Sequence, residues 1–73
     1  MSNQAVTCSP LRAIRESKGY SQRRLAAKSG VPRSVIQSAE AGVTVPHGTT
    51  LHKLARELDC SIAELCVPAE GAA

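Results

Sequence analysis

Seventy-three residues make one domain, near the lower limit for a core that stands without staples. A single Tyr, with no Trp or Phe, leaves Leu, Ile, Val and Ala to build the interior, which suits short packed helices and argues against an aromatic stacking platform for RNA. The net charge of +3 is unevenly spread: residues 1–42 hold seven Lys and Arg (positions 12, 15, 18, 23, 24, 28 and 33) against Glu16 and Glu40, while residues 43–73 hold Lys53 and Arg56 against Glu57, Asp59, Glu64 and Glu70.

Residues 1–8 are small and polar and are expected to form a flexible arm. Ser9-Pro10 reads as a helix start, with Ser as N-cap and Pro at the first helical position. Leu11 and Ile14, with Ser17 one turn on, face inward, and Gly19 ends this first helix. Tyr20 bridges to the second helix as a partly buried ring with its hydroxyl at the surface. Ser21 caps that helix, but Arg24 stands where a capping box would have an acid, and a cation there opposes the helix dipole. Arg23 and Arg24 make sense if phosphate lies nearby; otherwise they point into water.

Gln22 to Ala41 is the stretch around which the chain is organised. Leu25 and Ala26 give the second helix its apolar positions. Gly30 can take the left-handed backbone that closes a helix, and Pro32 stands where a new one begins. Ile36 and Ala39, three apart, mark the buried side of a third helix running from about Arg33 to Ala41 and ending at Gly42. Ala26 keeps the crossing of the two helices close, since a larger side chain would push them apart. The outward set of the third helix is Arg33, Ser34, Gln37 and Ser38, with Val35 ambiguous.

Val43 to Pro46 is a loop, too short and without a partner to form a sheet. Leu51, Leu54, Ala55 and Leu58 then fall on one stripe of a fourth helix that begins at His47 or Thr49. Gly48 and Thr49 at its start offer backbone N–H groups as a phosphate seat; Thr capping explains them equally well. Ser61 and Glu64 form a capping box that opens a fifth short helix, ended by Pro68, with Ile62 and Leu65 closing the core. Residues 68–73 form a flexible tail. Its last residues, Ala72-Ala73, resemble tags read by energy-dependent proteases, though an unstructured tail of small residues accounts for them as well.

The remaining chemistry-bearing residues point to no reaction. Cys8, Cys60 and Cys66 make an odd count with no C-x-x-C pair, and in the absence of a secretion signal the expectation is reduced thiols in a cytoplasm. Nothing basic neighbours Cys60 or Cys66 in sequence to activate a thiol. His47 and His52 do not share a helix face, so no metal site is expected. No cofactor, small-molecule ligand, membrane span or catalytic constellation is read here.

The order of these blocks resembles the Cro and lambda-repressor type of helix-turn-helix, the xenobiotic-response-element-like regulators. The matching residues are Gln22, Leu25-Ala26, Gly30-Val31, Ile36, Ala39, and Glu40 followed by Gly42, with LRAIRESKGYSQ (11–22) upstream and LHKLARELDCSIAEL (51–65) downstream. The resemblance implies an all-α, five-helix domain over residues 9–67, with the helix-turn-helix at helices two and three. It implies a sequence-specific regulator of transcription on double-stranded DNA, most readily a repressor, in the cytoplasm of a bacterial cell or a phage-infected host. Base reading falls to Arg33, Ser34, Gln37 and Ser38. The DNA backbone falls to Gln22, Arg23, Arg24, Lys28, Val35, Gly48 and Thr49. In the family pattern, the positions of Arg15 and Glu40 carry a partly buried ion pair that fixes the recognition helix. One helix reads only a few base pairs, so a homodimer on two half-sites is expected. The charge asymmetry fits a phosphate-binding face, although by itself it also fits a solvated helical surface. The competing reading is a protein-interaction module, such as an antitoxin-type partner, built on the same scaffold.

Overall fold

The structure, a computed structural model, describes residues 6–68. Its elements run β1 (Val6–Thr7), α1 (Pro10–Ser17), α2 (Gln22–Ser29), α3 (Arg33–Glu40), α4 (Gly48–Leu58), α5 (Ile62–Leu65) and β2 (Val67–Pro68). All five helices expected from periodicity and caps are present. Residues 1–5 of the expected arm, residues 69–73 of the expected tail and the Ala72-Ala73 pair lie outside the described residues.

The core is aliphatic, as the composition requires. Leu11, Leu25, Ile36, Leu54, Leu58 and Leu65 are fully buried, each supplied by a different helix except for the two from α4. Ile14, Tyr20, Ala26 and Val35 pack on this core from its margin. Ser21 caps α2 by accepting the Arg24 N–H at 3.0 Å, and Ser61 with Glu64 forms the reciprocal capping box of α5. The Glu64 carboxylate is held below its usual range, chiefly by the Ser61 backbone N–H and then by the Ser61 hydroxyl.

Gly19 and Gly30 close α1 and α2 with φ of 80° each. At the end of α4 the same left-handed turn falls on Asp59, with φ 56° and ψ 49°. Asp reaches this region more readily than most non-glycine residues because its short polar side chain bonds locally.

Several expectations are corrected at the two ends of the domain. Val6 and Thr7, assigned to a flexible arm, pair antiparallel with Pro68 and Val67. Cys8, the last residue of that arm, is fully buried and bonded to Cys66, so these two are not reduced thiols; Cys60 alone is free. Pro68 belongs to β2 and does not terminate α5. The chain is already extended at Cys66, with φ −120° and ψ 122°, because pairing with β1 draws it out of the helix. A proline is tolerated there because a two-strand ladder has only edges. Ser9 makes no side-chain cap. Instead the Cys8 carbonyl accepts the Leu11 N–H at 3.0 Å, and Thr7 Oγ1 accepts the Ser9 N–H at 3.3 Å. Ser17 is exposed and donates its hydroxyl to the Ile14 carbonyl. Ile62 stays 38% exposed, so Leu65 alone carries the apolar contact of α5 into the core.

Candidate nucleic-acid interface

The α2–α3 unit is built almost entirely from local chemistry. Ser29 Oγ donates to the Leu25 carbonyl at 2.7 Å and accepts the Val31 N–H at 3.2 Å, so one hydroxyl satisfies both sides of the turn. Gly30 takes the left-handed conformation, and Val31, 3% exposed, plugs into the core between the helices. Pro32 is extended, with ψ 141°, and launches α3. Ile36 and Ala39 are buried against the core, which fixes the rotation of α3 about its axis. Arg33, Ser34 and Gln37 are thereby exposed, while Val35 and Ser38 are half-buried.

A polar network holds α3 at its other end. Arg15 Nε donates to Glu40 Oε2 at 2.6 Å and its second terminal nitrogen to Glu40 Oε1 at 3.1 Å, a two-pronged pairing. The Arg15 and Glu40 side chains are only 9% and 4% exposed. The remaining prong of Arg15 donates to the Tyr20 carbonyl at 2.7 Å. The hydrogen bond to Glu40 raises the guanidinium pKa above its ordinary value, and burial acts the other way. Gln22 completes the set by donating its amide to Glu40 Oε1 at 3.0 Å. One carboxylate of α3 is therefore tied to α1 and to the first residue of α2. No buried side-chain nitrogen or oxygen among the described residues lacks a partner.

A helix-turn-helix family model matches residues 11–65 of this chain. Among solved structures, the restriction-modification controller protein C.AhdI from Aeromonas hydrophila is 38% identical with a TM-score of 0.72, over 78% of this chain and 86% of that one. SinR, the master regulator for biofilm formation, solved in complex with DNA, is 36% identical with a TM-score of 0.73, over 78% of this chain and 95% of that one. A regulator of the same family from Vibrio cholerae is 29% identical with a TM-score of 0.72, over 80% of this chain and 33% of that one. No curated protein sequence matches.

The chain belongs to the Cro/C1-type helix-turn-helix family. It is a DNA-binding regulator of transcription, not an enzyme. Among its described residues no helix is long and apolar enough to cross a membrane, and no group of three or more His, Cys, Asp or Glu could hold a metal.

In this helix-turn-helix domain, two shallow grooves meet at Gln22. One is lined by Ser21, Gln22, Arg23 and Arg33 over Arg15. The other is lined by Arg12, Gln22, Gln37, Glu40 and Ala41 over the same Arg15. The structure thus brings Gln22, Arg23, Arg33 and Gln37 onto one continuous face, flanked by exposed Ser34. Arg12 joins this face from α1. Arg12 has no place among the residues expected at the interface; its position one helical turn before Arg15 is the signal that the sequence offers.

Other predicted residues lie apart from that face. Arg24 is turned toward Tyr20, its guanidinium carbon 5.8 Å from the ring centroid, and the Tyr20 hydroxyl donates to Glu57 on α4. Lys28 borders a separate depression with Ser29, Lys53, Arg56 and Glu57. Gly48 and Thr49 are exposed at the start of α4, where no side chain caps the helix.

Proposed function

We propose that this protein binds double-stranded DNA sequence-specifically as a homodimeric repressor, with α3 in the major groove. The observation that carries the reading is the mounting of α3. Its Arg33, Ser34 and Gln37 face solvent, while Ile36, Ala39 and the Glu40 network on the other side remove its freedom to turn. A reading head needs this combination, because side chains that discriminate bases must be presented at a fixed angle.

Arg33, at the N-terminal end of α3, is the main base reader. Its guanidinium can donate two hydrogen bonds to O6 and N7 of one guanine. Gln37, one turn on, carries the donor and acceptor that fit adenine, and Ser34 and Ser38 tune the site. Gln22, Arg23 and Val35 border the phosphates beside α3; Arg24, Lys28, Gly48 and Thr49 extend the backbone contacts along α2 and the start of α4. Two copies on half-sites about 34 Å apart would supply the specificity that one helix lacks. The proposed setting is the cytoplasm of a bacterial cell or a phage-infected host.

The test is a titration against a duplex selected from a random pool, and against duplexes with the preferred guanine replaced. Arg33→Ala should cost about 1–3 kcal/mol on the preferred site and relax the preference at that guanine. Equal losses across the set would instead make Arg33 a phosphate contact. If three to five phosphates are neutralised per protomer, log K against log salt should slope by roughly −3 to −5 per protomer. A flat salt response would reject the backbone role of the α2 cations.

A further inference from the structure

The two strands at the ends of the described chain pair with each other, and Thr7 of β1 lies near Gly42, just past α3. Thr7 pairs with Val67, and the Cys8–Cys66 bond lies next to that ladder, joining positions 58 residues apart with Cα atoms 4.3 Å apart. Cys8 is fully covered in the core, whereas Cys66 is only half-buried. The segment that carries the bond also begins α1, through the Cys8 carbonyl and Thr7 Oγ1.

The same segment touches the exit of the recognition helix. A Cβ placed on Gly42 would stand 3.5 Å from Thr7 Oγ1, so β1 lies against the residue on which α3 turns away. That turn is held by the Gly42 N–H on the Ala39 carbonyl at 3.1 Å and the Val43 N–H on the Ser38 carbonyl at 2.9 Å. Ser38 is half-buried within α3, two residues before Glu40.

We propose that Cys8–Cys66 is a reversible thiol–disulfide clasp that sets whether β1 holds the exit of α3. A two-residue ladder adds little pairing strength of its own, so the covalent bond is a main contributor to keeping β1 and β2 together. In a cytoplasm, permanent disulfides are rare, and those that form are commonly transient and redox-sensing. The chain's third cysteine, Cys60, is a poorer sensor, because burial, ahead of the nearby Glu64, pushes its thiol pKa up.

The chemistry balances with a low-molecular-weight thiol as reductant. Its thiolate attacks the sulfur of Cys66, the less buried of the two residues, and the Cys8 sulfur leaves as a thiolate and takes a proton. A second equivalent of the thiol then displaces Cys66 from the mixed disulfide. Two electrons pass to the protein, and the reductant departs as its own disulfide. A low-molecular-weight disulfide reverses the sequence. The reversibility of the clasp rests on the cytoplasmic setting proposed above, and any consequence for DNA binding rests on the placement of α3 proposed there.

The test uses the full chain carrying Cys60→Ser, so that only the clasp cysteines remain. Purified without reductant and labelled in denaturant, neither Cys8 nor Cys66 should react; after dithiothreitol both should. On reduction, amide exchange at Leu11, Gly42 and Val43 should quicken by about tenfold or more beyond any change at the Gly30 amide in the α2 turn. Oxidised glutathione should restore the slow exchange. Free thiols in the unreduced protein that oxidised glutathione does not join would overturn the clasp. So would unchanged exchange at Gly42 and Val43, and so would a uniform rise that includes Gly30, the signature of a plain staple. Faster exchange with unaltered affinity for the selected duplex would leave the clasp standing and count against the placement of α3 on DNA.

Discussion

The α2–α3 turn and the β1–β2 clasp each fix two short segments against one another, by opposite means. At the turn, every contributing group lies within a few residues: the Ser29 hydroxyl, the left-handed Gly30, the Val31 plug and the extended Pro32. Closing so short a connection costs little entropy, and each residue type is dictated by backbone geometry. At the clasp, the partners are 58 residues apart, and nothing in the sequence around either cysteine prescribes the other. The contact exists because α1 and α5 pack together and bring the segments before α1 and after α5 to one corner. Local devices set the shape of the α2–α3 unit, and long-range devices set how firmly it is held.

The Arg15–Glu40 pair stands between these extremes, 25 residues apart in sequence and nearly closed to solvent. Arg15→Ala should have the largest effect, about 3–5 kcal/mol, since it strands a buried carboxylate that also anchors Gln22. Arg12→Ala, which breaks an i,i+4 pair with side chains 68% and 54% exposed, should cost no more than about 1 kcal/mol. Urea midpoints would compare them. Arg15→Ala/Glu40→Ala should recover part of the loss, and strictly additive losses would show that the pair is not coupled.

Cutting the clasp comes next. Reduction, or Cys8→Ala/Cys66→Ala, should lower stability by about 2–4 kcal/mol, because a long loop is released in the unfolded chain. Equal urea midpoints for oxidised and reduced protein would remove the contrast between the two regions. Ala26→Leu tests the local side: Ala26 packs at the margin of the core and is expected to sit at the α2–α3 crossing, so overfilling it should cost about 1–3 kcal/mol. An unchanged melting temperature would mean that the crossing has room to spare.

The smallest effect is expected at the α5 capping box. The Glu64 pKa is lowered in the folded chain, so its contribution is fully present above the ordinary carboxylate range and fades as pH falls through the lowered value. A pH series of denaturation midpoints should show wild type losing slightly more stability on acidification than Glu64→Gln. Parallel curves would mean that the box contributes nothing measurable to stability.

Sequence by itself determined the parts governed by neighbours. Periodicity, caps and turn residues together placed all five helices, and the stripe Leu51, Leu54, Ala55 and Leu58 is buried in full. The caps at Ser21 and Ser61 followed from a side chain meeting an N–H three residues on, which residue types alone can specify. The exposure of Arg33, Ser34 and Gln37 on α3 followed from the two residues it buries, whereas Ser38, expected to face outward with them, is half-buried. Tertiary structure alone decided where distant groups meet. Arg15 and Glu40 were named through a family pattern, and nothing local marks them as partners. The turn of Arg24 onto Tyr20, the drift of Lys28 toward Lys53 and Arg56, the entry of Arg12 onto the Gln22 face, and the closure of Cys8 on Cys66 all depend on how the helices pack. The two-residue strands fall in the same class. A strand is stabilised by its partner, so a stretch as short as Val6–Thr7 carries no signal until the fold delivers Val67 and Pro68 beside it.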